Sequence, residues 1–145
     1  MDSLSIRLFL AILPVVLILI FVYNKDKSKE PLGLLLKLFG LGILSCFLVL
    51  AISSGMEKIF PFMKGDIDKK SFLDTLLYAF IGVALVEEFC KWLMLYFQGY
   101  KSKEFDELYD ILVYAVFVSL GFAFFENILY IVGNEEISIA LLRAV

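Results

Sequence analysis

The residues best able to do chemistry are Glu87, Glu88 and Lys91, in the run Val86-Glu87-Glu88-Phe89-Cys90-Lys91. That run interrupts an otherwise apolar stretch from Phe72 to Gln98. An ionised group at mid-bilayer costs roughly 2.5–3.5 kcal/mol on insertion scales, so charges at that depth mark pairing or function. On a helix Glu87 and Lys91 are i, i+4, and Glu88 and Lys91 are i, i+3, so Lys91 can neutralise one carboxylate. The second stays beside the first, and two close carboxylates in low dielectric do not both remain ionised. A carboxyl poised in this way suits a general base or acid working near neutral pH. One Glu-Lys pair would be enough to fix helix packing, which leaves the second Glu without a structural explanation.

A second polar pair, Glu126-Asn127, sits in Gly121-Phe122-Ala123-Phe124-Phe125-Glu126-Asn127, and the apolar run continues past it to Val132. Asn127 adds an amide that both donates and accepts hydrogen bonds. The stretch Phe105-Asp106-Glu107-Leu108-Tyr109-Asp110 holds three acids. Acids at a helix N-terminus are favoured by the macrodipole, which accounts for Asp106 and Glu107 as capping and solvated residues. Asp110 lies near Lys91 in depth and is a second possible partner for it.

These groups need helices to hold them. A spanning helix takes about 20 mostly apolar residues. The runs that qualify are 4–23, 32–55, 72–98 and 110–132, with a fifth helix starting near 137. The fold class expected is therefore all-α: one polytopic membrane bundle, four spans plus the beginning of a fifth. The first run is too long for a signal-peptide core and lacks a basic lead and a small-x-small cleavage site. Pro14 falls inside it and should kink it. Gly40, Gly42 and Ser45 offer a close approach to another helix. Ser71 is a natural cap for the third span, and Gly133-Asn134 ends the fourth. An antiparallel hairpin of spans three and four leaves Glu88 and Glu126 offset by 6 residues, about 9 Å at 1.5 Å per residue, so contact does not follow from counting.

Composition agrees with a membrane protein. Of 145 residues 61% are hydrophobic and 20% charged, against about 45–50% and about 25% for soluble domains. The net charge is −3 and no basic run suggests nucleic acid. The connecting loops carry similar numbers of Lys and Arg, so the positive-inside rule leaves orientation open. Cys46 and Cys90 lie in apolar stretches and read as buried thiols rather than a disulfide. The sequence contains no His, which removes the usual general base and the commonest metal ligand.

Taken in order, E-E-x-x-K (Glu87 to Lys91), F-D-E-x-x-D (Phe105 to Asp110) and G-F-A-x-x-E-N (Gly121 to Asn127) resemble the PrsW family of intramembrane proteases. That family sits among the CAAX-prenyl endopeptidases and bacteriocin-immunity membrane proteins. The resemblance is strongest from Leu76 to Val145. It implies a multi-pass peptidase of the bacterial cell membrane that cuts a single-span, membrane-tethered substrate such as an anti-sigma factor, starting a stress response. It puts catalytic weight on Glu87 and Glu88, and a supporting position at the Phe122-to-Glu126 step, where CAAX-type relatives end in a His ligand. A divalent metal is implied, zinc being one candidate, with Glu126 and Glu88 as ligands. The pattern departs from the family at Ile111, where Gly is common. It also stops short of a later helix carrying His, so the chain reads as the front part of the family pattern.

The expected chemistry is peptide-bond hydrolysis in or at the edge of the bilayer. Glu87 or Glu88 acts as general base on water, Lys91 tunes the pair, and Glu126 and Asn127 complete the site as ligand or oxyanion donor. Asp110, Asp106 and Phe122 support it. Zinc held by oxygen ligands alone would bind weakly, so little activity is expected from these 145 residues by themselves. Two other classes compete. A non-catalytic scaffold or immunity-type protein predicts that Gln substitutions at Glu87, Glu88 and Glu126 are silent. A proton- or ion-coupled transporter subunit predicts flux that the same substitutions abolish.

Overall fold

The structure is a computed structural model, and it describes residues 3–60, 63 and 71–133. Every regular element among them is helical. Helix α1 is Ser3–Lys25 and α2 is Leu32–Ile59. An unbroken helical path follows, made of α3 (Phe72–Leu77), a π-helical stretch π1 (Tyr78–Ala84), α4 (Leu85–Met94) and a second, π2 (Leu95–Tyr100). Helix α5 is Leu108–Gly133. The fifth helix expected near 137 lies outside the described residues.

Among the described residues three helices are long and apolar enough to cross a membrane: Leu4–Lys25, Leu32–Ile59 and Leu108–Val132. Their outward faces carry Leu17, Phe21, Leu36, Leu44, Leu112 and other exposed apolar side chains. So much contiguous exposed apolar surface suits lipid rather than water.

The helix limits follow from local chemistry. Helix α1 runs through Pro14. Helix α2 continues past Gly55, where the sequence suggested an end, because glycine tolerates the helical conformation. Phe60, which precedes Pro61, ends it instead. Phe60 has φ −101° and ψ 119°, the extended geometry that a following proline enforces. Ser71 caps α3 as expected: its Oγ accepts from the Asp74 N–H at 3.2 Å.

Helix α5 is the centre of the bundle, packing mainly on α2 and then on α1. Leu35 and Leu38 of α2 meet Val113, Tyr114, Phe117 and Val118 of α5 in the main core. Ala11 of α1 meets Ile131 at the other end of α5. Helix α1 is thus antiparallel to α5, and α2 parallel to it. Two glycines allow the α2–α5 approach. A Cβ on Gly42 would collide with the Val118 carbonyl, and one on Gly121 with the backbone of Phe39. Gly40, expected to share this role, has open space beside it.

Candidate active site between α2, α4 and α5

Beyond the glycine contact, a polar link joins α2 to α5: the Cys46 thiol donates to the Phe122 carbonyl at 3.6 Å, while Ser45 Oγ donates within α2 to the Gly42 carbonyl at 2.6 Å. Both cysteines are buried and free, as expected. The link at Cys46 places one wall of a cavity of about 190 Å³. Cys46, Val49 and Leu50 of α2, Glu87 of α4, and Phe122, Glu126, Leu129 and Tyr130 of α5 line it. Glu87 and Glu126 therefore come together, in surroundings that are mostly apolar.

Glu88 faces elsewhere. Lys91 Nζ donates to Glu88 Oε1 at 2.5 Å, so the i, i+3 pairing is the one formed. The Glu88 side chain is 71% exposed, that of Lys91 only 15%. Both line a neighbouring cavity of about 220 Å³ with Trp92, Leu95, Ala115, Val118 and Ser119. Adjacent residues on a helix lie about 100° apart, given 3.6 residues per turn, so consecutive glutamates address different spaces. The expected ligand pair of Glu88 and Glu126 is thus split between two cavities, and Glu87 is the acid that shares a cavity with Glu126. The Lys91 ammonium also lies 4.6 Å from the centroid of the Phe122 ring, within cation–π range. Asn127 is buried in α5 beside Glu126.

Asp110 does not serve Lys91. Its Oδ2 accepts the Glu107 N–H at 2.8 Å and the Asp106 N–H at 3.1 Å. From the third position of α5 it closes the helix start, the returning half of a capping box. The capping expected of Asp106 and Glu107 thus falls to Asp110.

Sequence reasoning missed a buried acidic group around Asp110. Glu30 and Asp26 lie in the 26–31 connector, which reads as a solvated loop, yet both are buried. The fully buried Tyr114 donates to Glu30 Oε2 at 2.6 Å. Burial raises the Glu30 carboxyl above its usual range. The Tyr114 hydrogen bond opposes this, and the charges of Asp110, Asp26 and Asp106 reinforce it. Tyr114 was the available signal, since a phenol one turn after Asp110 in an apolar helix needs a polar partner. Cys46 and Tyr130 also went unnoticed as cavity residues, and buried Arg7 as more than a helix-edge charge.

The model of the family described as "PrsW family intramembrane metalloprotease" matches residues 30–145. That match takes in every residue of both cavities. The chain belongs to the PrsW family.

Proteins named Protease PrsW are similar over most of the chain. The one from Oceanobacillus iheyensis is 39% identical over 134 residues, covering 92% of this chain and 57% of the relative. Those from Geobacillus kaustophilus and Bacillus subtilis are 39% and 36% identical, covering 90% and 85% of this chain and 54% and 52% of theirs. The chain spans about half the length of the curated relatives it matches. No solved structure matches it. Family and helices together make this PrsW relative a multi-pass integral protein of the bacterial cell membrane.

Proposed function

We propose that this chain carries part of the active site of an intramembrane endopeptidase, with Glu87 and Glu126 as its reacting pair. The observation that carries the reading is their convergence from α4 and α5 on one largely apolar cavity. Glu87 is the better general base. It removes a proton from water, the oxygen attacks the scissile carbonyl carbon, and the same proton passes to the departing amine. Glu88 and Lys91, paired at 2.5 Å, hold the charge balance of α4 and orient the neighbouring Glu87. Asn127, buried in the same turn of α5 as Glu126, is read as a supporting polar group.

The metal in the family's description fits here in part. Glu87 and Glu126 offer two oxygen donors, and a catalytic site generally takes three protein ligands. When bound, a divalent ion such as zinc would polarise the carbonyl and make water a stronger nucleophile. Phe72–Tyr100 is read as a fourth crossing, with Glu87 turned to the cavity it shares with Glu126. The substrate class is a single-span membrane protein, an anti-sigma factor being the leading candidate.

The test is co-expression of the complete protein with a tagged single-span substrate, scored by release of the cleaved tag. Loss of cleavage in Glu87→Gln and Glu126→Gln, with both variants inserted at wild-type level, supports the assignment. Full cleavage by either variant removes that residue from the machinery.

A further inference from the structure

We propose that Glu30, Asp106 and Asp110 form a divalent-cation site, with Ca²⁺ the best-fitting ion, that clasps the α1–α2 connector to the start of α5. One carboxylate oxygen from each of the three lies within 4.8 Å of the others. Glu30 comes from the α1–α2 connector, Asp106 from the connector that leads into α5, and Asp110 from the first turn of α5. The site stands 16 residues along α5 from Glu126, about 24 Å at 1.5 Å per residue, so it is a different place from the proposed active site.

Acidic clusters are common without an ion, but one oxygen here is otherwise unexplained. Asp110 is fully buried, and while its Oδ2 takes two backbone N–H groups, its Oδ1 has no hydrogen-bond partner. A buried, orphaned carboxylate oxygen costs free energy unless something positive meets it. A neighbour repeats the pattern: Asp26 is buried, its Oδ2 is also unpartnered, and its charge is felt by Glu30. Two nearby lysines are drawn to aromatic faces. Lys25 Nζ lies 5.9 Å from the Phe21 ring centroid and Lys29 Nζ 5.0 Å from that of Tyr23.

The donor set points to a hard cation, since all three ligands are carboxylates. Ca²⁺ takes oxygens at about 2.3–2.6 Å, so opposed ligands stand about 4.6–5.2 Å apart, whereas Mg²⁺ needs them within about 4.2 Å. The three oxygens, all within 4.8 Å of one another, lie inside the reach of a single Ca²⁺ ion. Tyr114 fixes Glu30 and the two backbone N–H groups fix Asp110, so two of the three ligands are held before an ion arrives. Asp106 is exposed and gives the ion a way in, with water completing its shell.

The experiment uses the complete protein in nanodiscs, in a Glu87→Gln/Glu126→Gln background that removes the active-site carboxylates. After chelation, CaCl₂ and MgCl₂ are added separately, and calorimetry and thermal melting are read. The expected result is one Ca²⁺ bound per chain with a rise in Tm, a weaker response to Mg²⁺, and loss of both on adding Glu30→Gln. That substitution keeps an acceptor for Tyr114, so the fold should survive, and Asp106→Asn, at an exposed position, gives a second loss of binding. No Ca²⁺ binding in the background protein overturns the proposal, and so does binding that Glu30→Gln leaves intact. A Tm raised by acidification but not by Ca²⁺ would show that shared protons hold the cluster, and would overturn it equally.

Discussion

The Cys46 thiol on α2 donates to the main-chain carbonyl of Phe122 on α5 at 3.6 Å, one turn before Glu126. The contact exists because Gly42 and Gly121 let two helix backbones meet, and it fixes how far Glu126 stands from the α2 wall of its cavity. The active-site proposal therefore depends on two positions that carry no side chain.

Gly42→Ala and Gly121→Ala should each force α2 and α5 apart, because the added carbon meets backbone that cannot rotate away. Overpacking of this kind costs about 1–3 kcal/mol. Gly40→Ala, with open space beside it, should leave stability unchanged. Thermal melts of the three variants in detergent check the contrast. Equal loss in all three would mean that helix flexibility, not close approach, is what glycine supplies.

Glu87→Gln should abolish substrate cleavage, whereas Glu88→Gln should reduce it only in part, because Glu88 lines the other cavity and is paired with Lys91. A loss of about 100-fold or more is the usual scale for removing a general base. Side-by-side initial rates at equal membrane levels decide the matter. Identical losses would mean that both glutamates enter the same reacting space during turnover.

Glu30 gives a pH prediction. Its carboxyl is raised from 4.5 by burial, with Tyr114 opposing and Asp110, Asp26 and Asp106 reinforcing. The folded state then holds a proton that the unfolded chain releases near 4.5. The linked stability is present in full below that pH and falls as pH rises through the higher folded value. Glu30→Gln, measured in chelator, should flatten the curve of Tm against pH above 4.5. An unchanged slope would remove Glu30 as its source.

Ser71→Ala should cost about 1 kcal/mol, the usual value of a helix cap. It would remove both the Oγ that accepts from Asp74 N–H and the hydroxyl that donates to Asp74 Oδ2 at 2.9 Å. Ser71→Thr, which keeps a hydroxyl for both bonds, should recover most of the loss in a thermal melt.

Much of the helical layout was legible in the sequence, because about 20 apolar residues in a row have few alternatives. The limits moved by a few residues where a local interaction decided them, as at Phe60 before Pro61 and Asp110 at the start of α5. What could not be read was which acid faces which cavity. Spacing put Glu87 and Glu88 equally within reach of Lys91, and only packing against α2 and α5 separates them. Depth counting also left Glu126 several residues out of step with α4. The cavity absorbs that offset, since its α5 lining runs from Phe122 to Tyr130. The Glu30 cluster was hidden for another reason: a buried loop acid looks like a solvated one until the Tyr114 hydroxyl is found on it.

The Lys91 ammonium over the Phe122 ring has a consequence for the shape of the interior. Lys91 lines one cavity and Phe122 the other, so this contact is the partition between two rooms. A partition of side chains rather than main chain can swing, given room, by a change of rotamer on either residue. With it open, the exposed carboxylate of Glu88 and the half-buried pair Glu87 and Glu126 would share one continuous volume. On the proposed peptidase reading, an extended stretch of substrate would need that joint volume rather than either cavity alone.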